Sequence, residues 1–289
     1  MPLPANWRLD RKVIRLRAIV QQTTEDYRRA GVDHGDLLST LLAVRDENTK
    51  EGMTNRAIVD QVLTLIVAGT ETTSTALAWA FHALGQDPES ERRLHAEVDE
   101  VLAGRPACLD DVPKLGYTQR VITEALRLYP PAWLLTRRTT AEVELGGHRI
   151  APGTTILFSP YALHRDPDVF PDAERFDPDR WLPERANAVP RGAVLSFGAG
   201  KRKCIGDAFA MTEATIILST LAGRWRLRPI PGVKIKPIPM INLSPGAMPM
   251  RVESRHRSGM ATNKPAFPAG APPEPTASGC RGSVPAHSD

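Results

Sequence analysis

The stretch Phe197-Gly-Ala-Gly-Lys-Arg-Lys-Cys204-Ile-Gly206 carries most of what this sequence says about its fold. It presents one cysteine from a glycine-rich loop that leads directly into a segment of helical character. The basic run Lys201-Arg202-Lys203 and the positive end of that helix favour the thiolate form of the cysteine, which is the form that ligates metals. A lone cysteine is more often a small buried hydrophobe, so the surrounding pattern has to decide between the two interpretations.

The spacing of the residues in this loop favours a metal-ligand role for Cys204. Its residue types resemble the haem-binding loop of the cytochrome P450 family at five positions: Phe197, Gly200, Arg202, Cys204 and Gly206. The resemblance implies that Cys204 ligates the iron of a haem b cofactor and that Arg202 binds a haem propionate. We also expect Gly198, Gly200 and Gly206 to adopt positive φ angles and to let the backbone approach a flat ligand closely.

A second segment, Ala68-Gly-Thr-Glu71-Thr72-Thr73, lies in a long helix predicted over residues 53–84. A glycine weakens a helix, and a threonine hydroxyl can bond back to a helical carbonyl, so we expect the helical ladder to open locally here. By itself the pattern also fits a threonine-rich buried helix. The resemblance implies instead the oxygen-binding groove of the family, where Ala68 and Gly69 would contact the haem. Glu71 and Thr72 would then deliver protons through water to dioxygen.

A third segment, Glu124-Ala-Leu-Arg127, places two opposite charges three residues apart, where they are neighbours on one helix face. Most such pairs lie on the surface and contribute only about 0–1 kcal/mol. The resemblance implies a different role, a buried structural network beneath the haem that is completed by Arg175 of the segment Glu174-Arg175-Phe176. A bidentate arginine suits such a network well.

Three further polar residues are weaker candidates. The resemblance assigns Arg137 to a haem propionate, although Arg138 competes for this role and either could simply be solvent-exposed. His164 invites a metal-ligand interpretation, but no second ligand follows it at helical spacing. We therefore leave His164 out of the predicted site.

Composition excludes several other classes of protein. The 37 basic residues are interleaved with 33 acidic ones, which favours a solvated mixed surface and no nucleic-acid partner despite the net charge of +4. Cys108, Cys204 and Cys280 are too far apart to suggest a disulfide framework or a paired-cysteine zinc site, so a reducing, cytoplasmic setting is expected. The apolar stretch 62–84 contains Glu71 and His82, and it therefore predicts a buried helix and no membrane span.

Hydrophobic periodicity predicts a mostly α fold with a small β region. Helices are expected over residues 8–29, 36–44, 53–84, 89–102, 117–129 and 207–221. Strand-like runs at residues 143–145, 149–150 and 154–159 suggest one small sheet. Residues 166–190 predict either a long ordered meander or a disordered insert, and residues 233–252 predict irregular hairpins.

The resemblance covers residues 3–252 and implies a haem-thiolate monooxygenase of bacterial type. Its implied substrate is a hydrophobic small molecule such as a terpenoid or a fatty acid, with electrons supplied by a ferredoxin or a flavoprotein. Since the family has several helices before the groove helix, we expect an N-terminally truncated haem domain over residues 1–253. We expect a disordered tail over residues 254–289, which is rich in proline, glycine and alanine. An inactive haem-binding remnant is the alternative.

Overall fold

The computed structural model describes the main chain of residues 4–190 and 192–255, and the side chains from residue 11 onward within these ranges. Residues 256–289, which make up nearly all of the predicted disordered tail, lie outside the described part. The chain divides into two compact units, Met1–Glu71 and Thr72–Asp289, and the boundary falls inside one long helix.

The first unit contains α1 (Pro4–Ala30), α2 (Leu37–Ala43) and the first half of α3 (Asn55–Gln86). The Asp36 carboxylate caps α2 by accepting a hydrogen bond from the Ser39 main-chain N–H at 2.8 Å. The Thr54 hydroxyl caps α3, because its Oγ1 atom accepts from the Ala57 N–H at 3.2 Å. Local capping chemistry thus begins both helices where the sequence indicates.

The second unit is a helical body that continues from α3. It adds α4 (Pro88–Leu102), α5 (Gly116–Leu128), the single turns α6 (Pro160–Leu163) and α7 (Pro183–Ala186), and α8 (Asp207–Arg224). Helices α4, α5 and α8 pack around an apolar core that α3 also enters. Fully buried members of this core include Leu94, Val98, Val121, Ile122 and Leu218. This core supports the loop that carries Cys204, because that loop leads into α8.

Within the described residues, the strands form four separate antiparallel pairs. Strand β1 (Leu135–Arg138) pairs with β4 (Thr155–Phe158), and β2 (Val143–Leu145) pairs with β3 (His148–Ile150). Strand β5 (Trp225–Pro229) pairs with β8 (Met250–Ser254), and β6 (Ile238–Pro239) pairs with β7 (Leu243–Ser244). The mostly α prediction is confirmed, but the expectation of one small sheet is wrong, since each of these pairs is a two-stranded sheet of its own.

Residues 166–190 form an ordered meander, which settles the alternative left open by the sequence. Two short helical turns, the 3-10 helix Pro178–Trp181 and α7, interrupt the irregular chain. Phe170 and Ala173 are buried in a small apolar cluster with Ala193. No helix in the described part of the chain has both the length and the apolar character that crossing a membrane requires.

Candidate functional site

The loop that carries Cys204 is closed by its own main chain. The Cys204 N–H donates to the Phe197 carbonyl at 2.8 Å, and the Lys203 N–H donates to the Gly200 carbonyl at 3.1 Å. The second of these bonds closes the 3-10 turn Gly200–Arg202. Cys204 is exposed, three residues before α8 begins at Asp207. The sulfur is therefore presented to the outside by a short, closed loop.

Two of the three loop glycines have the predicted backbone conformation. Gly198 has a φ of +71° and Gly200 a φ of +66°, both in the left-handed region that favours glycine. Gly206 differs, because its φ is −96°. A Cβ atom added at Gly206 would lie 3.9 Å from the Cys204 sulfur. The absence of a side chain at Gly206 thus leaves space beside the sulfur, and no positive φ is needed there.

Both charged and large apolar side chains lie close to Cys204 in the sequence. Lys203 forms an ion pair with Asp207, which lowers the pKa of that carboxyl, so part of the positive charge of the loop is offset locally. The side chains of Ile205 and Phe209 are 93% and 70% exposed. Large apolar side chains exposed beside an exposed sulfur are unfavourable in water and favour contact with an apolar ligand.

These features fit a haem group. One exposed sulfur is a suitable donor for a metal that brings its other ligands with it, as the iron of haem does. The exposed apolar side chains and the space beside Gly206 fit a flat apolar macrocycle. Within the described residues, no group of three or more His, Cys, Asp or Glu side chains is placed to hold a metal ion.

The predicted oxygen-groove residues all lie in α3. Ala68, Gly69 and Glu71 belong to the first unit, and Thr72 is the first residue of the second. A Cβ atom added at Gly69 would meet no atom within 4 Å, so α3 faces open space at this position. The local opening of the helix that we expected is not observed, because α3 is α-helical throughout Asn55–Gln86.

Glu124 and Arg127 form a fully buried ion pair, each with 0% side-chain exposure. The Arg127 guanidinium donates to both Glu124 carboxylate oxygens, at 2.9 and 2.8 Å. It also donates to the main-chain carbonyls of His164 at 2.6 Å, Ala173 at 2.7 Å and Arg175 at 3.1 Å. One arginine side chain therefore holds α5 and two separate stretches of the following chain together.

The meander arginine beside Glu124 is Arg180, which corrects the expectation for Arg175. Arg180 Nε lies 3.4 Å from Glu124 Oε1, and the Trp181 indole N–H donates to Glu124 Oε2 at 2.9 Å. Arg175 contributes only the main-chain carbonyl described above, and its side chain is exposed. The physical reason is the 3-10 turn Pro178–Trp181, which directs two consecutive side chains at Glu124.

The sequence contains a signal that points to Arg180, but the same signal also occurs at Arg175. Arg175-Phe176 and Arg180-Trp181 are both an arginine followed by an aromatic residue, five positions apart in the same irregular segment. Periodicity cannot separate them, because neither pair lies in a regular helix or strand of useful length. The local features that indicate a turn at the second pair are Pro178 and the capping residue Asp177 before it.

His164 is structural, in agreement with its exclusion from the predicted site. Its Nε2 atom accepts from the Leu195 N–H at 2.9 Å, so the proton lies on Nδ1, which donates to the Arg127 carbonyl at 3.0 Å. Burial lowers the pKa of His164 to about 4, and the imidazole is neutral at pH 7. Because Leu195 lies two residues before Phe197, His164 links the buried ion pair to the cysteine loop.

The two candidate propionate ligands on β1 have different contacts. The Arg138 Nε donates to the Gly153 carbonyl at 3.1 Å, so its position is fixed by the neighbouring turn. The Arg137 guanidinium lies 5.6 Å from the centre of the Phe158 ring, and its Nη1 donates to the Thr136 carbonyl at 2.8 Å. Both side chains are exposed. The described contacts do not link either arginine to Arg202 of the cysteine loop.

A family model and individual relatives were compared with this chain, and they indicate the same family. A model of the family "Cytochrome P450" matches residues 11–249 of this chain. Cyclooctatin synthase of Streptomyces melanosporofaciens is 55% identical over 256 residues, which make up 88% of this chain and 56% of that protein. Pentalenene oxygenase of Streptomyces avermitilis is 46% identical over 256 residues, covering 88% of this chain and 57% of that protein.

Solved structures confirm the fold. The heme domain of cytochrome P450DA superposes with a TM-score of 0.79 at 30% sequence identity, covering 83% of this chain and 54% of that one. A second cytochrome P450 structure gives a TM-score of 0.76 at 32% identity, covering 83% of this chain and 56% of that one. This chain thus spans a little over half the length of the relatives that it matches.

Proposed function

Because this chain belongs to the cytochrome P450 family, we propose that it is the haem-binding portion of a monooxygenase that inserts one oxygen atom from dioxygen into a terpenoid. The observation that carries the proposal is the exposed Cys204 sulfur in a loop closed by main-chain hydrogen bonds at the start of α8. A fatty acid is the second substrate class considered. The proposed setting is the cytoplasm, in keeping with the free thiols of Cys108 and Cys204.

Haem is the cofactor of this family, and we assign haem b to this chain. The Cys204 sulfur would ligate its iron, and Arg137 and Arg202 would bind its propionates. The residues that would contact the macrocycle are Phe197, Gly200, Gly206, Ala68 and Gly69. When bound, haem would supply the reductive activation of dioxygen, which the donor character of a thiolate ligand assists.

Two residues of α3 would transfer protons. The Glu71 carboxylate can hold a proton and release it, and the Thr72 hydroxyl can both donate and accept a hydrogen bond. Their adjacent positions allow a proton to pass from one to the other through water. Glu71 and Thr72 are therefore the proposed catalytic residues of this chain.

The network around Glu124 would support the site without taking part in the chemistry. Arg127 holds the carbonyls of the meander, and His164 holds Leu195 just before the cysteine loop. Fixing the main chain on the N-terminal side of this loop limits the movement of the Cys204 sulfur. A ligand held by a rigid scaffold loses less conformational entropy when it binds its metal.

The terpenoid assignment draws on the relatives. Cyclooctatin synthase, cyclooctat-9-en-7-ol 5-monooxygenase and pentalenene oxygenase are bacterial proteins that modify terpenoids.

Labelled dioxygen tests the proposed reaction. We expect the haem-loaded chain, incubated with pentalenene, a ferredoxin, its reductase, NADPH as the reductant and ¹⁸O₂, to yield a product that carries one labelled oxygen atom, the second oxygen atom leaving as water. Mass spectrometry of the product measures the label, and the same mixture without reductant is the control. A chain that binds haem through a thiolate but gives no oxidised product would instead be the inactive remnant.

The electron donor is proposed to be an acidic ferredoxin or flavoprotein. Lys201 and Arg202 are exposed beside Cys204, whereas the charge of Lys203 is shared with Asp207. We expect Lys201→Glu to slow reduction by the ferredoxin about tenfold at low salt, because it replaces attraction by repulsion at the docking surface. The difference in reduction rate between the variant and the wild type should become smaller at higher salt, because salt screens the interaction between the charges.

Stopped-flow reduction under carbon monoxide measures this rate. Lys114→Glu is the matched control, since Lys114 is also an exposed lysine but lies on the 3-10 helix Leu109–Lys114. Equal rates and equal salt dependence for Lys201→Glu and the wild type would rule out docking at the cysteine loop.

A further inference from the structure

One face of α4 carries an acid, an imidazole and a second acid at helical spacing. Glu91, His95 and Asp99 are four residues apart, so they lie one above the other along the helix. Glu91 and His95 are almost completely buried, at 6% and 5% exposure. The neighbouring residues Leu94 and Val98 belong to the apolar core of the second unit. Glu91 and His95 are therefore enclosed between α4 and the chain that packs against it.

The sheet formed by β5 and β8 brings three arginines to this face of α4. Arg228 donates to the Glu91 carboxylate at 2.8 Å, and Arg226 Nε lies 3.6 Å from the same oxygen. Arg255, which directly follows β8, donates to the Asp99 carboxylate at 2.7 Å. These ion pairs hold both strands of the sheet and the chain end after β8 against α4.

The charges in this contact are balanced without His95. The sheet also contributes Glu253, whose Oε2 atom lies 3.5 Å from Arg228 Nε, so three guanidinium groups face three carboxylates. Apart from Glu91 and His95, the described side chains that line the small void here are uncharged: Phe81, Leu84, Leu94, Ala222, Trp225 and Leu227. A proton on His95 would therefore add an excess positive charge to a buried contact, which is unfavourable.

The ring of His95 makes a contact that requires a neutral imidazole. Its Nδ1 atom lies 3.4 Å from the Arg226 Nη2 atom. A guanidinium group only donates hydrogen bonds, so Nδ1 has to be the acceptor and carry no proton. A proton on Nδ1 would place two N–H groups against each other. Burial first, and then Arg255 and Arg226, lower the pKa of His95 to about 4.

We propose that His95 makes this contact an acid-labile clamp, in which the binding of one proton releases the β5–β8 sheet and Arg255 from α4. The proton comes from water and is bound at Nδ1 once Arg226 has moved away. The closed contact keeps its full stability above about pH 6.5, the ordinary pKa of histidine, and loses it as the pH falls towards 4. Once released, the sheet has only two strands and is marginally stable, so its hydrogen bonds open to water.

Amide hydrogen exchange in the haem-loaded full chain tests the clamp. The reporter is the Arg255 N–H, which donates to the Arg224 carbonyl at 3.0 Å beside the β5–β8 ladder. We expect its protection factor, corrected for the intrinsic exchange rate, to fall about thirtyfold between pH 7.5 and pH 5. The Tyr129 N–H, bonded to the Ala125 carbonyl at the end of α5, is the internal reference and should change much less.

The substitution His95→Gln separates the imidazole from the other charged groups. Glutamine can still accept a hydrogen bond from Arg226 but does not titrate, so the protection of the Arg255 N–H should lose most of its dependence on pH. Any dependence that remains belongs to the three carboxylates. His148→Gln is the matched control, because His148 is exposed on β3 and its loss should leave the thirtyfold change intact.

A second variant keeps the test informative if His95→Gln does not fold. Arg226→Gln removes the guanidinium that faces Nδ1, and the Arg226 side chain is 39% exposed, so the substitution should be tolerated. We expect an NMR titration of the His95 ring to show a higher pKa in this variant than in the wild type, together with a smaller change in the protection of Arg255.

Two results would overturn the inference. One is an equal loss of protection at Arg255 in the wild type and in His95→Gln, because the proton would then act elsewhere. The other is an equal loss at Arg255 and Tyr129 in the wild type, because the sheet would then open only when the helical core unfolds. Neither result affects the proposed function, which does not depend on how the sheet is held.

Discussion

Replacing Cys204 by serine is expected to abolish the red-shifted absorption band that a thiolate-ligated haem gives when it is reduced and bound to carbon monoxide. Serine keeps nearly the same size but removes the only sulfur of the cysteine loop, and a thiolate is the donor on which this band depends. The expected effect is complete loss. The measurement is the carbon monoxide difference spectrum of the haem-loaded chain before and after the substitution.

Cys108→Ser provides the matched control for this experiment. Cys108 is half-buried at the start of the 3-10 helix Leu109–Lys114, where its sulfur lies 3.3 Å from an Asp111 carboxylate oxygen. A serine hydroxyl can make the same hydrogen bond, so the spectrum should not change. Persistence of the band in Cys204→Ser, or its loss in Cys108→Ser, would contradict Cys204 as the ligand.

Removal of the Arg127 side chain should cause the largest loss of stability. In Arg127→Leu the buried Glu124 carboxylate loses its bidentate partner, and the carbonyls of His164 and Ala173 lose their donor. Breaking a buried ion pair by removing one partner typically costs about 3–5 kcal/mol, because a charge remains buried without compensation. Urea unfolding followed by circular dichroism measures the change in the free energy of unfolding.

Two neighbouring arginines serve as graded controls. Arg180→Ala removes a group 3.4 Å from Glu124, and its side chain is only 6% exposed, so we expect a clear but smaller loss of stability. Arg175→Ala should change the free energy of unfolding by less than about 0.5 kcal/mol, because its side chain is exposed and its carbonyl is retained. A larger effect for Arg175→Ala than for Arg180→Ala would contradict the network as described.

Most helices of this protein could be predicted because their signals are local. The long helix predicted over residues 53–84 occurs as Asn55–Gln86, and the helix predicted over residues 207–221 occurs as Asp207–Arg224. Capping residues and apolar periodicity suffice for such elements. The strands β1 and β5 were not predicted, since Leu135–Arg138 is mostly polar and Trp225–Pro229 follows α8 without a turn signal. Both become strands by pairing with residues 17 or more positions away, and pairing of this kind leaves no local pattern.

The sequence by itself determined the family, the cysteine that faces the proposed haem and the buried partnership of Glu124 with Arg127, because these depend on residue types at fixed short spacings. Only the tertiary structure decided that Arg180 and not Arg175 reaches Glu124, and that Gly206 leaves open space next to the Cys204 sulfur without a positive φ. It also decided that the Trp79 indole N–H donates to the Leu243 carbonyl of the β6–β7 hairpin, 164 residues further along the chain. Contacts between such distant segments depend on how the helices and strands pack together. A pattern of neighbouring residues does not predict that packing.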